Sequence, residues 1–101
     1  MTVSVRENIK EAKQRLSAYT SKINERSHFY EALSDPTRLK IIYLIQNHKE
    51  FCVSEVASIL GISVSAVSHQ ARILEGAGIL EKKRYGKTIC YSIKSNILKN
   101  L

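Results

Sequence analysis

Residues 53–74 read VSEVASILGISVSAVSHQARIL. Glu55 to Leu60 forms a short helix. Ser54 is placed to cap it, Glu55 sits in the first turn where the helix dipole favours an anion, and Gly61 stops it. Ser63 then caps a second helix over about 64–76. Ala57 is small where two helices must cross closely. Ile62 is read as the apolar plug of the turn, and with Val67 it fills the angle between the helices. Val67, Ala71 and Leu74 recur on one side of the second helix and point inward. Val64, Ser65, Ser68, His69 and Arg72 occupy the other side.

Downstream, Gly76-Ala77-Gly78 ends this helix. Residues 79–84 lead into Tyr85-Gly86-Lys87, and Thr88-Ile89-Cys90-Tyr91-Ser92-Ile93 returns with alternating polarity, which predicts a hairpin. Gly86 supplies the positive φ of its tight loop. Upstream, Phe51-Cys52-Val53 is a short strand expected to pair with the last strand of the hairpin. Asp35 caps a helix over 36–47 with Pro36 at its first position, where a missing N–H costs nothing. Leu39, Ile42, Tyr43 and Ile45, or positions beside them, are its expected core residues. Ser27 or His28 opens a short helix through Leu33. Before it, residues 3–22 form a long amphipathic helix with Val5, Ile9, Ala12, Leu16, Tyr19 and Ile23 on one stripe. The order helix, helix, strand, helix, turn, helix, hairpin is that of a winged helix-turn-helix, mainly α with a small β-hairpin wing. Residues 1–26 are read as an N-terminal dimerisation helix and 27–101 as the winged domain.

A chain of 101 residues has a thin core, so oligomerisation is expected. Its stripe on 3–22 packs either on its own domain or across a homodimer interface. Ordinary apolar and charged content excludes disorder over the whole chain. No apolar run reaches membrane-spanning length and no unbroken apolar segment marks an export signal, so no membrane association is expected and the cytoplasm is the default address. The net charge is +7, and residues 61–101 carry net +5 of it. That surplus predicts a polyanion-binding face on the C-terminal part, with double-stranded DNA as the partner.

Ser63, Val64, Ser65, Ser68, His69 and Arg72 are the candidate contacts of the second helix. Small polar groups at a helix start enter the major groove without a clash, hydroxyls reach phosphates or base edges, and Arg72 takes a guanine or a phosphate. Lys82, Lys83, Arg84, Tyr85 and Lys87 are the candidate contacts of the wing, where cations straddle the phosphate backbone. The bland alternative is a solvated polar surface.

Three stretches together resemble the ArsR/SmtB transcriptional repressors: 32–41 (ALSDPTRLKI), 53–57 (VSEVA) and 63–74 (SVSAVSHQARIL), with Ala77-Gly78-Ile79-Leu80 after them. The resemblance covers about residues 28–94. It implies a homodimeric winged-helix repressor that releases its operator when an inducer binds, with Ser65, Ser68 and His69 at bases or phosphates; no inducer is named by these residues. Val64 stands where the family often has Gln, and Ala71 replaces the usual Leu. The family's arsenic and cadmium/lead type carries Cys-Val-Cys where this chain has Cys52-Val53-Ser54. Its zinc type carries Asp and His after the wing, where this chain has Lys94-Ser95-Asn96-Ile97. No metal site and no cofactor are therefore expected.

Cys52 and Cys90 face each other if the first and last strands pair. With Phe51, Val53, Ile89, Tyr91 and Ile93 turned to the core, both thiols point outward on one side. They are either a disulfide or redox pair or two unconnected thiols. Two further functions compete with regulation: an architectural DNA-binding protein of little sequence specificity, and a winged-helix protein-interaction module. No Gly-rich phosphate loop, His-Glu-x-x-His or nucleophile elbow is present, and an enzyme is not expected.

Overall fold

The structure, a computed structural model, describes residues 7–95. Four helices precede or flank a three-stranded antiparallel sheet: α1 (Ile9–Ala32), α2 (Pro36–Gln46), β1 (Phe51–Cys52), α3 (Val53–Leu60), α4 (Val64–Gly76), β2 (Leu80–Tyr85) and β3 (Thr88–Ile93). The strand order is β1-β3-β2, so the first strand does pair with the last. The register sets Phe51 opposite Tyr91 and Cys52 opposite Cys90. Helices and hairpin follow the winged helix-turn-helix order.

Each helix start has a local cause. The Asn8 side chain accepts the Glu11 N–H at 2.8 Å, a cap that sequence reading missed. Asp35 accepts the Arg38 N–H at 3.0 Å and Pro36 opens α2, as expected. Ser63 accepts the Ala66 N–H at 3.0 Å and starts α4. Gly61, at φ +67°, ends α3 in the left-handed region that L side chains avoid.

Four expectations are corrected. The long and short N-terminal helices are one helix, because residues 23–27 hold no breaker; the boundary drawn at 26/27 lies inside α1. The cap of α3 is Cys52, not Ser54, and the Cys52 N–H donates to Glu55 Oε1 at 2.9 Å. In α2 the buried residues are Ile41 and Ile45, while Leu39 and Tyr43 are exposed. Six apolar side chains fall within 39–45, so periodicity alone does not choose the inward face. Ile62 is exposed rather than a plug.

The core joins Phe29 and Ala32 of α1 to Ile41, Ile45, Val53, Val56, Ala57, Val67, Ala71, Leu74, Ile79, Leu80 and Tyr91. The expected inward stripe of α4 is buried, and so is Ala57. Upstream of Phe29, α1 leaves the core: Ile9 is 76% exposed, and Leu16, Tyr19 and Ile23 are open as well. The molecule extends 56 Å along its long axis against 22 Å across. The stripe of α1 therefore does not pack on its own domain. Val5 of this stripe lies outside the described residues.

Candidate nucleic-acid interface

Burial of Val67, Ala71 and Leu74 fixes the rotation of α4 about its axis. It turns Ser65, His69 and Arg72, spaced four and three apart, to solvent on one side, with Ser68 half-buried beside them. Ser63 and Val64 are exposed at the start of the helix, Val64 at 52%. The six helix residues singled out from sequence thus occupy one accessible end and side of α4.

The wing is built by a two-residue loop, Gly86-Lys87, between β2 and β3. Gly86 adopts φ +62° there. Lys82, Lys83, Arg84, Tyr85 and Lys87 are all exposed. The register divides them. Lys82 lies opposite Tyr91 and Arg84 opposite Ile89, while Lys83 lies opposite Cys90 and Tyr85 opposite Thr88. Because paired residues share a face, Lys82 and Arg84 stand on the face of Leu80, Tyr91 and Ile89 that looks toward the helices. Lys83 and Tyr85 stand on the reverse face. There the Tyr85 hydroxyl donates to Glu50 Oε2 at 3.0 Å, and the Lys83 ammonium lies 5.8 Å from the Tyr85 ring centroid.

Helix and wing meet across a groove of about 310 Å³ lined by Val53, Ser54, Val64, Ser68, Lys87, Thr88 and Ile89. Three expected residues, Val64, Ser68 and Lys87, come together in it. Ser54 and Thr88 also line it and were not among the expected residues; the register turns the Thr88 side chain to the reverse face with Tyr85. Cys52 rather than Ser54 holds the cap position of α3, so the exposed Ser54 has no cap role. Arg38 braces α4 from behind, with Nη1 donating to Gln70 Oε1 at 2.9 Å and Nε to the Ala32 carbonyl at 2.7 Å.

Cys52 and Cys90 are joined as a disulfide, 38 residues apart in the chain. They share one sheet face, but Cys90 is fully buried and not outward to solvent. It stands in the central strand with Cys52 of β1 and Lys83 of β2 as its neighbours on the shared face. Among the described residues no three His, Cys, Asp or Glu side chains converge on one point, and no helix is long and apolar enough to cross a membrane.

The chain is similar in sequence and in fold to known proteins. A family model described as bacterial regulatory protein, arsR family, matches residues 35–82. The transcriptional repressor SdpR of Bacillus subtilis is 31% identical over 74 residues, 73% of this chain and 81% of that one. The chain belongs to the ArsR family. A transcriptional repressor SmtB homolog of Synechocystis is 37% identical over 75 residues, 74% of this chain and 56% of that protein. The chain likewise spans 60% and 63% of two cadmium-resistance regulatory proteins. This member of the ArsR family therefore covers little more than half the length of those curated relatives. The crystal structure of the transcriptional repressor PagR of Bacillus anthracis superposes with a TM-score of 0.67 at 28% identity, covering 80% of this chain and 91% of that one.

Proposed function

We propose that this ArsR-family chain is a homodimeric transcriptional repressor that binds double-stranded DNA. The observation that carries the reading is the shared groove between α4 and the wing. Ser65, Ser68, His69 and Arg72 face bases and phosphates in the major groove, while Lys82, Arg84 and Lys87 lie along the adjacent phosphates. Ser54, with Ser63, adds hydroxyls for the backbone. A second copy covers Ile9, Leu16, Tyr19 and Ile23 of α1, and two α4 helices set about 34 Å apart read an inverted repeat. DNA as the ligand makes the cytoplasm the expected compartment. No catalytic step is assigned.

Val64 supports a second reading. An exposed valine at the tip of α4 offers no hydrogen bond to a base edge, which suits an architectural protein of low sequence preference. Binding to duplexes selected from genomic DNA and to random duplexes, across a salt series, separates the two. The repressor reading expects a selected site bound at least about 10³-fold above random DNA. In the double variant Ser68→Ala with His69→Ala, that preference falls while the fold is retained. Equal binding of all duplexes overturns the repressor reading.

A further inference from the structure

The Cys52–Cys90 bond lies directly behind the groove between α4 and the wing. Val53, which follows Cys52, and Ile89, which precedes Cys90, both line that groove. Cys52 is also the residue from which α3 starts, and Cys90 belongs to the central strand that carries the wing strand β2 on its other side. Apart from the disulfide, the join between the helical pair and the sheet at this point is a strand of two residues. The covalent bond thus ties the start of α3 to the strand that carries the wing.

We propose that Cys52 and Cys90 are a redox modification site whose oxidation by a low-molecular-weight disulfide sets the groove between α4 and the wing for DNA. The proposal rests on the DNA-binding reading above. A disulfide in a cytoplasmic protein is held against a reducing pool, so a pair that closes there serves regulation better than permanent stapling.

The geometry assigns the order of events. Cys52 is half-buried and Cys90 has no exposed surface, so the small oxidant meets Cys52 first. The Cys52 thiolate attacks one sulfur of the small disulfide; a mixed disulfide forms and one small thiolate leaves. The Cys90 thiolate then attacks the Cys52 sulfur. The Cys52–Cys90 bond forms and the second small thiolate leaves. Two electrons pass from the protein to the oxidant, and the two cysteine protons end on the two small thiols.

Charge on this face fits an anionic oxidant. Lys83 lies opposite Cys90 in register, so Lys83, Cys90 and Cys52 form one row across the three strands. Beside that row, His48, Lys49, Glu50, Lys83, Tyr85 and Ser92 line a hollow of about 550 Å³. The Lys83 ammonium is the cation of this row, and at its other end the Glu55 carboxylate accepts the Cys52 N–H.

The test equilibrates the full chain in oxidised or reduced glutathione, counts free thiols, and measures binding to a fluorescent mixed-sequence duplex at fixed salt. The expected result is no free thiol in the oxidised form and two in the reduced form. The oxidised form binds about tenfold more tightly, because its groove is already set. Cys52→Ser binds like the reduced protein and ignores the glutathione ratio. The comparison of the two forms of the unaltered chain does not depend on that variant folding. Equal affinity of the two forms, or thiols that stay free in oxidised glutathione, overturns the switch and leaves DNA binding in place. A duplex bound by neither form overturns both.

Discussion

Arg38 of α2 holds Gln70 of α4 at 2.9 Å while its other nitrogens donate to the Ala32 and Glu31 carbonyls at the end of α1. One guanidinium thus satisfies the last turn of one helix and fixes the axial position of another. The last turn of α1 contains no basic residue of its own, so the cation is supplied from the next helix.

Loss of this brace is expected to be felt in stability. Arg38→Met keeps the aliphatic stem and removes the donors. The expected cost is about 1.5–3 kcal/mol, the range for half-buried hydrogen bonds with a charged partner, read by urea unfolding. Gln70→Ala is expected to cost less, since the two carbonyl contacts remain. Equal losses from the two variants contradict this assignment.

The wing cations are expected to divide by face. Lys82→Ala with Arg84→Ala removes two charges from the side nearer α4, and the salt dependence of duplex binding should flatten by about 2 in log–log slope. Lys83→Ala, on the reverse face, is expected to flatten it by less than half of that. Isothermal binding at several salt concentrations gives both slopes.

Reduction of the disulfide is expected to lower stability. Closing a loop across 38 residues restricts the unfolded chain and corresponds to about 3–4 kcal/mol. Denaturant unfolding with and without a strong dithiol measures the difference. An unchanged midpoint contradicts it.

Alkaline unfolding is expected to trace in part to Tyr91. Burial of its phenol raises its pKa above the ordinary tyrosine value, Glu75 raises it further, and Arg72 opposes the rise. The unfolded chain therefore releases this proton at lower pH than the folded chain. The contribution to stability is intact below about pH 10 and is lost as pH climbs through the folded value. Tyr91→Phe is expected to make the stability curve flatter above pH 10, measured by unfolding at stepped pH.

The helix-turn-helix and hairpin were legible because local chemistry dictates them. Ser63, Asp35, Pro36, Gly61 and Gly86 each answer a backbone requirement that no distant contact has to supply. The pairing of β1 with β3, and hence of Cys52 with Cys90, was legible through the topology that this order of elements demands. What escaped depends on packing. Leu39 is as apolar as Ile41 and Ile45, Tyr43 is largely so, and only the positions of α4 and the sheet select among them. The burial of Cys90 follows from its central strand, and its polarity pattern gives no sign of it. Ser54 and Thr88 entered the candidate site only once the groove between α4 and the wing was visible.

The exposed run of α1 has a dynamic consequence. A helix of 24 residues is about 36 Å long, yet Phe29 and Ala32 are its only buried residues. Isolated helical turns are marginal in water, so amides along residues 9–22 of a solitary copy should trade deuterium within moments, while those of α4 hold theirs. Slowed exchange on dilution-sensitive samples would mark the moment another copy settles against the stripe.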